Sequence, residues 1–213
     1  MPVGNASAPA HGRTRMSPET RREQLVALGV RLLSTRSLEE LSIDVLAEEA
    51  GISRGLLYHY FGNKRDFHRA VVRSAADDLI RVTAPVHDGE PLERLARSLD
   101  AYVGYVEESY AGYVSLVRAA ASGDGDLREI YEEARAALTD RIFDAADAAA
   151  DAGGVLESLR LADTAAVRLM VRGWSAMVED TVIAWVREPQ GVNRDDLLRM
   201  LAAALPGVLS GAP

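Results

Sequence analysis

The sequence predicts an all-helical protein, and three observations support this. Apolar residues recur at spacings of three and four along most of the 213 residues, with little alternation of period two. Alanine, leucine and arginine, which favour helices, dominate the composition. Glycines, prolines and helix-capping side chains divide the chain into about nine segments.

The helices are expected in a regular order along the chain. Pro18 follows Ser17 at the first position of the first helix, while Ser42 and Ser53 cap the next two. Asp126, with Glu129 three residues on, predicts a capping box at the seventh helix. The expected helices cover residues 18–33, 43–50, 54–60, 64–81, 92–108, 111–121, 127–150, 161–187 and 194–209.

Composition excludes several classes of protein. The chain has no cysteine, which excludes disulfides, thiolate metal sites and a thiol nucleophile. No apolar run reaches the roughly 18 residues that a membrane-spanning helix needs. Residues 1–16 lack the apolar stretch of a secretory signal and are expected to be a disordered tail. We therefore expect a cytoplasmic protein without membrane contact, metal or cofactor.

Charge is distributed unevenly along the chain. The net charge is −8, which by itself argues against nucleic acid. Residues 1–73, however, hold 11 basic and 8 acidic side chains, whereas residues 74–213 hold 13 and 24. A basic first third before an acidic remainder indicates an interaction surface in the first third.

Residues 42–64 (SIDVLAEEAGISRGLLYHYFGNK) match a helix-turn-helix. A helix of about eight residues, a turn opening with Gly51 and a second short helix have the required lengths. Ala47 lies where the helices cross. On a helical wheel, Leu57, Tyr60 and Phe61 share the face that points into the core.

The opposite face of this second helix predicts DNA contact. Arg54 can read guanine, Gly55 lets the backbone come close to DNA, and Tyr58 and His59 can donate to phosphates. Leu56, on the flank, can touch a thymine methyl group.

Three further residues flank the predicted DNA-binding face. Ser42 and Ser53 begin helices whose free N–H groups can bind phosphate, although both serines also serve as ordinary caps. Lys64 is the only lysine in the sequence, which favours a phosphate contact over a chance surface lysine.

The run from Thr20 to Val72 resembles the DNA-binding domain of the TetR family of bacterial transcription regulators. The resemblance rests on the LAEEAGIS turn, the GLLYHYF recognition helix and the NKRDFHRAV start of the next helix. Leu56 departs from the small or polar residue that members often carry there. The resemblance implies a helix-turn-helix domain over residues 17–63, built from three helices, and an effector-binding and dimerisation domain over 64–213.

Such a protein would bind a palindromic operator in double-stranded DNA as a homodimer, as a repressor that responds to a small molecule. Two broad apolar stripes in the last two helices support dimerisation there. For any single residue, packing inside the subunit is equally compatible with the pattern. The expected interface residues are Thr181, Val182, Trp185, Leu198, Leu201 and Leu205.

A ligand pocket is expected between the linker at residues 85–91 and the dimerisation helices. Four of the seven tyrosines lie within residues 102–113, and further aromatic and methionine side chains follow. Arg118 suggests an anionic ligand, while the aromatic residues taken singly also suit a plain core. The predicted pocket residues are Tyr102, Tyr105, Tyr113, Arg118, Phe143, Met170, Trp174 and Met177.

Two other functions remain open at this point. An architectural DNA-binding dimer without an effector would have a solid core in place of the pocket. A helical enzyme is the weaker alternative, because the four histidines, at positions 11, 59, 68 and 87, have no metal-ligand spacing and no nucleophile motif appears. No catalytic residue is therefore assigned.

Overall fold

A computed structural model describes residues 17–85, 88–143 and 154–210, and these ranges contain helices and no strand. This confirms the all-helical prediction. In chain order the helices are α1 (Pro18–Leu32), α2 (Ile43–Ala50), α3 (Arg54–Phe61), α4 (Lys64–Val82), α5 (Pro91–Glu108), α6 (Tyr110–Ala121), α7 (Gly125–Asp140), α8 (Val155–Ser158), α9 (Ala165–Arg187) and α10 (Arg194–Leu209). The predicted tail at 1–16 lies outside the described residues.

The predicted serine caps are confirmed at the first three helices. The Oγ atoms of Ser17, Ser42 and Ser53 each accept a hydrogen bond from the backbone N–H three residues on, at 3.1, 3.1 and 3.3 Å. These bonds satisfy N–H groups that the first turn of a helix leaves without a partner.

Later boundaries differ from the prediction. Asp124, not Asp126, caps α7, because its Oδ1 accepts from the backbone N–H groups of residues 126 and 127. Thr164 caps α9 at a later start than expected, and the short α8 was not predicted. The helix expected over 127–150 ends at Asp140; its last part, 144–150, lies outside the described residues.

Two clusters of buried apolar side chains form the interior. The first joins α1, α2, α3, the first half of α4 and the buried face of α7. The second joins the end of α4 with α5, α8, α9 and α10. Helix α4 belongs to both, since Phe67 and Val71 lie in the first and Leu79 in the second. The first core thus continues beyond Asn63, the predicted end of the first domain.

Helices α1 and α6 meet through their backbones. The N–H of Gly112 donates to the carbonyl of Leu33, just after α1, at 3.1 Å. One turn along α6, the buried Ser115 Oγ accepts from the N–H of Leu38 at 2.8 Å. A Cβ atom on residue 112 would lie 2.6 Å from the Leu33 oxygen, so only glycine permits this approach.

We expect Gly112→Ala to destabilise the protein by about 1–3 kcal/mol, because the added methyl group meets backbone that cannot move aside. Chemical denaturation measures the change. Gly125→Ala is the matched control, since a Cβ there meets no atom within 4 Å, and it should leave the free energy of unfolding within about 0.5 kcal/mol. Equal stability of the two variants would contradict the proposed packing constraint.

Candidate nucleic-acid interface and cavity

The turn between α2 and α3 fixes the angle between the two helices. Gly51 ends α2 in the left-handed region, with φ at 64°, and its N–H bonds back to the carbonyl of Ala47. The N–H of Ile52 donates to the same carbonyl at 3.0 Å. Ala47 is itself buried, as its predicted place at the helix crossing requires.

The inner face of α3 packs as predicted. Leu57 and Phe61 are buried in the first cluster, and Tyr60 packs against it. The Phe61 ring lies edge-on to Phe67 of α4, with centroids 5.1 Å apart. His68 of α4 holds the chain before α2, with Nε2 2.6 Å from the Leu41 carbonyl. Nε2 is the donor, because a carbonyl oxygen only accepts, and burial lowers the pKa of this ring.

The outer face of α3 is open to solvent. Arg54, Gly55, Tyr58 and His59 are all exposed, and so is Leu56 on the flank. A Cβ on Gly55 would meet no atom within 4 Å, so nothing in the subunit requires a glycine there. The helix therefore presents its polar and aromatic side chains outward, together with bare backbone at Gly55.

Arg54 already has a partner that the sequence reading missed. Its Nε lies 2.5 Å from Oδ1 of Asp44 in the first turn of α2. Both side chains are largely exposed, so the pair is accessible to a competing partner. Asp44 thus holds the guanidinium across the turn between the two helices.

The other predicted DNA-contacting residues lie at helix starts. The Ser42 and Ser53 oxygens accept the capping hydrogen bonds of α2 and α3. What these two positions can offer to a phosphate is therefore the positive N-terminal end of each helix. Lys64 is exposed as the first residue of α4, directly after its cap Asn63.

A cavity of about 140 Å³ lies between the two cores. Its wall is mostly apolar and includes side chains from α1, α4, α5, α6, α7 and α9. Val30, Leu33 and Leu38, which belong to the first core, line one end. The volume is close to the roughly 150 Å³ of an engineered apolar cavity that binds benzene. The cavity therefore suits a molecule of about one ring.

Five side chains form a polar corner in the cavity wall: Tyr102, Tyr113, Tyr131, Arg135 and Glu179. The two carboxylate oxygens of Glu179 accept hydrogen bonds from Tyr113, at 2.7 Å, and from Tyr131. The hydroxyls of Tyr102 and Tyr113 lie 2.8 Å apart. Arg135 donates to the Tyr131 hydroxyl at 3.3 Å and, through Nε, to Ser175 at 3.1 Å.

The tyrosines of this region remain protonated at neutral pH. Burial raises the pKa of Tyr131 to about 12 and that of Tyr113 well above its ordinary value. Burial, followed by the Glu179 charge, also raises the pKa of Tyr102. These hydroxyls therefore stay neutral hydrogen-bond donors.

Half of the eight predicted ligand residues line the cavity, namely Tyr102, Tyr105, Tyr113 and Trp174. Tyr105 donates its hydroxyl hydrogen to the carbonyl of Ala75 on α4 at 2.9 Å. Trp174 donates through Nε1 to the carbonyl of Leu201 on α10 at 3.1 Å.

The other four do not line it. Arg118 is exposed on α6, and Phe143 packs under the guanidinium of Arg168, 4.4 Å from its centroid. Met170 and Met177 lie on the exposed side of α9. For the two methionines the reason is local, because the helical wheel of α9 does not tell which apolar stripe faces inward.

The sequence reading also missed Tyr131, Arg135 and Glu179. A signal for them exists, since Tyr131 with Arg135 on α7, and Ser175 with Glu179 on α9, are polar pairs four residues apart. Each pair therefore falls on one face of its helix. Their mutual contact depends on the packing of α7 on α9, which periodicity alone does not supply.

Of the six residues predicted for a dimer interface, three are buried and three are half-buried. Val182, Leu201 and Leu205 are buried in the second core, so each packs inside the subunit, the alternative that their apolar pattern also allowed. Thr181, Trp185 and Leu198 are half-buried. The large apolar side chains that α9 and α10 do expose are Leu169 at 68%, Met200 at 54%, and Met170 and Met177 at 38% each.

The described residues contain neither a membrane-spanning helix nor a group of side chains arranged to bind a metal ion. No helix among residues 17–85, 88–143 and 154–210 is long and apolar enough to cross a membrane. Over the same ranges, no group of three or more His, Asp or Glu side chains is arranged to hold a metal ion.

The chain matches two family models. Residues 25–71 match the model described as bacterial regulatory proteins, tetR family. Residues 91–205, more than half of the chain, match the model of the tetracyclin repressor-like C-terminal domain.

Individual proteins resemble the chain over most of its length. A tetR-family transcriptional regulator from Streptomyces coelicolor superposes with a TM-score of 0.77 at 29% identity, over 92% of this chain and 82% of that one. The transcriptional activator FasR of Mycolicibacterium smegmatis is 24% identical over 203 residues, 93% of this chain and 87% of FasR. The regulator HbdR of Aromatoleum is 28% identical over 140 residues, 65% of this chain and 61% of HbdR, less than two thirds of that protein.

We expect Glu179→Ala to lower the free energy of unfolding by about 2–4 kcal/mol, because two tyrosine hydroxyls lose their acceptor. Glu132→Ala, at an exposed position of α7, serves as the control and should change it by less than about 0.5 kcal/mol. Thermal or denaturant unfolding measures both. If the two alanine variants were equally stable, the polar corner would not hold the helices together.

Proposed function

Since the chain belongs to the TetR family of bacterial regulatory proteins and is a DNA-binding transcriptional regulator, we propose that it acts as a ligand-responsive repressor. In this proposal a homodimer binds a palindromic operator in the bacterial cytoplasm, and a small molecule in the cavity releases it. The proteins that it resembles are transcriptional regulators and not enzymes.

The exposed face of α3 supports the proposed DNA contact. Arg54 has the donor geometry to read guanine, and Tyr58 and His59 have hydrogens for phosphate oxygens. The open space around Gly55 allows the helix backbone to approach a groove wall closely. Lys64 adds a point charge at the start of α4, one short helix away.

The exposed apolar side chains of α9 and α10 support a homodimer. Leu169 and Met200 are more than half exposed, although they are among the largest apolar residues of their helices. Both helices also expose small residues, Gly173 on α9 and Ala203 on α10, which allow a close approach of backbones. A two-fold pairing across this face would set two α3 helices about 34 Å apart for successive major grooves.

One observation carries the proposed ligand response: a single cavity touches both cores. Its lining runs from Val30, Leu33 and Leu38 of the DNA-binding end to Trp174 and Glu179 of α9. A molecule bound there contacts α1 directly and can favour one position of the DNA-binding helices over another. The cavity also favours a sensor over an architectural protein with a solid core.

Selection of bound sequences from random DNA, followed by screening of small molecules for release, tests the proposal. The selected sequences should be palindromic, and at least one small molecule should lower DNA affinity. Selection of sequences with no symmetry would contradict the homodimeric operator. If ligands bind the protein but leave DNA affinity unchanged, the ligand response is disproved.

We expect Lys64→Ala and Tyr58→Ala to weaken binding about five- to tenfold on selected and random DNA alike, because phosphate contacts carry no sequence information. For Lys64→Ala the dependence of log affinity on log salt should also become shallower by about one. Arg128→Ala, an exposed cation on α7, is the control and should change neither quantity. Unchanged DNA affinity in Lys64→Ala would remove this residue from the interface.

We expect Leu169→Glu to raise the dimer dissociation constant at least about tenfold, because it places a charge on the apolar face. Leu92→Glu, at an exposed leucine of α5, is the control and should remain dimeric. Analytical ultracentrifugation measures the association of each. A Leu169→Glu protein that dimerises like the control would place the interface elsewhere.

A further inference from the structure

In the polar corner of the cavity, the directions of the hydroxyl hydrogens determine which ligands can bind there. Tyr113 has one hydroxyl hydrogen and donates it to Glu179. The 2.8 Å contact between Tyr102 and Tyr113 must then use the hydrogen of Tyr102. Tyr131 directs its hydrogen to the other Glu179 oxygen. All three hydroxyl hydrogens therefore point along the network towards one carboxylate.

Arg135, the basic side chain of the polar corner, already donates hydrogen bonds to other groups of the protein. Arg135 donates to Tyr131, to Ser175 and to the carbonyl of residue 172. Its guanidinium and the Glu179 carboxylate contact the same Tyr131 hydroxyl, so their charges offset one another locally. What the three hydroxyls of this corner still offer to a ligand is acceptor capacity, because their hydrogens are already used.

The Tyr102 oxygen differs from the other two tyrosine oxygens of the polar corner, because Tyr113 already accepts from Tyr102 and Tyr131 already accepts from Arg135. Tyr102 lines the cavity, and within the described part of the chain no hydrogen bond delivers a hydrogen to its oxygen. Burial keeps this hydroxyl neutral by raising its pKa. An incoming hydroxyl group can therefore donate to Tyr102 and extend the series of bonds from Tyr102 through Tyr113 to Glu179.

We propose that the cavity recognises a ring-sized, mostly apolar molecule through one neutral hydroxyl group, which donates its hydrogen to Tyr102. This inference rests on the proposed function, because it names the chemical class of the small molecule in the proposed ligand response. A carboxylate has no hydrogen to give, and it would bring a buried charge to the corner. An ammonium group has hydrogens but brings a buried charge to a corner whose own charges already balance.

The site thereby differs from the anion site that Arg118 suggested. That guanidinium is exposed and away from the cavity, and the cation that does line the wall, Arg135, is engaged with protein acceptors. An apolar wall supplies most of the contact area, and one hydrogen bond supplies the selectivity.

Four probes of nearly equal size test the proposal by calorimetric titration of the full chain without DNA: benzyl alcohol, ethylbenzene, benzylammonium and benzoate. Benzyl alcohol should bind about five- to tenfold more tightly than ethylbenzene, the difference expected for one hydrogen bond. Benzylammonium and benzoate should bind more weakly than either. Tighter binding of benzoate or benzylammonium, or binding of none of the four, would overturn the proposal.

Tyr102→Phe tests the assigned acceptor. It removes one oxygen from the wall while the bonds from Tyr113 and Tyr131 to Glu179 remain, so ethylbenzene should bind as before and the preference for the alcohol should disappear. Tyr105→Phe is the control, because that hydroxyl also lies in the wall but bonds to the carbonyl of Ala75, outside the polar corner and its series of bonds to Glu179. It should retain the preference. A preference that survives Tyr102→Phe would overturn the assignment.

The affinity for selected DNA is then measured with and without saturating benzyl alcohol. If the alcohol binds with the expected selectivity but DNA affinity does not change, the ligand class stands and the proposed ligand response fails. If the selectivity is absent while other molecules release the DNA, the ligand response stands and the inferred class fails.

Discussion

The place of the DNA-binding helices relative to the cavity depends on the close contact between α1 and α6. The bond from Gly112 to the Leu33 carbonyl joins the backbones directly, and Ser115 receives the N–H of Leu38 one turn later. Backbone groups have no rotamers with which to absorb a displacement. A shift of α6 by a fraction of an ångström must therefore move α1, break these bonds or distort the turn that follows α1.

Helix α6 connects this contact with the polar corner. Gly112 and Ser115 meet the end of α1, whereas Tyr113 between them donates to Glu179 of α9. The corner holds α6 from the other side, through a carboxylate that also accepts from Tyr131 of α7. A ligand that alters this network changes the restraint on α6. Such a coupling needs no long pathway, because the same helix contacts both sites.

Features that depend on residues close together in sequence could be predicted, whereas features that depend on packing between helices could not. The serine caps, the buried face of α3 and its exposed face follow from residues within a few positions of one another, and all three were predicted. Met177 and Val182 illustrate the limit, because both lie in apolar stripes of α9, yet one is exposed and the other is buried. Which stripe faces inward is decided by the packing of α9 on α5 and α10, which the periodicity of α9 alone does not specify. Glu179 was missed for the same reason, since its partners come from α6 and α7.

The ion pair between Arg54 and Asp44 lies in the basic part of the chain, which is the part that the proposed DNA contact uses. Most of the chain is acidic and repels DNA, so only the basic first third can approach it closely. Within that third, Asp44 holds the guanidinium of Arg54 in the free protein. Because the pair is exposed, water already screens it and its loss costs little. An acceptor of the DNA, either a guanine edge or a phosphate oxygen, can therefore take the place of the carboxylate in the proposed contact.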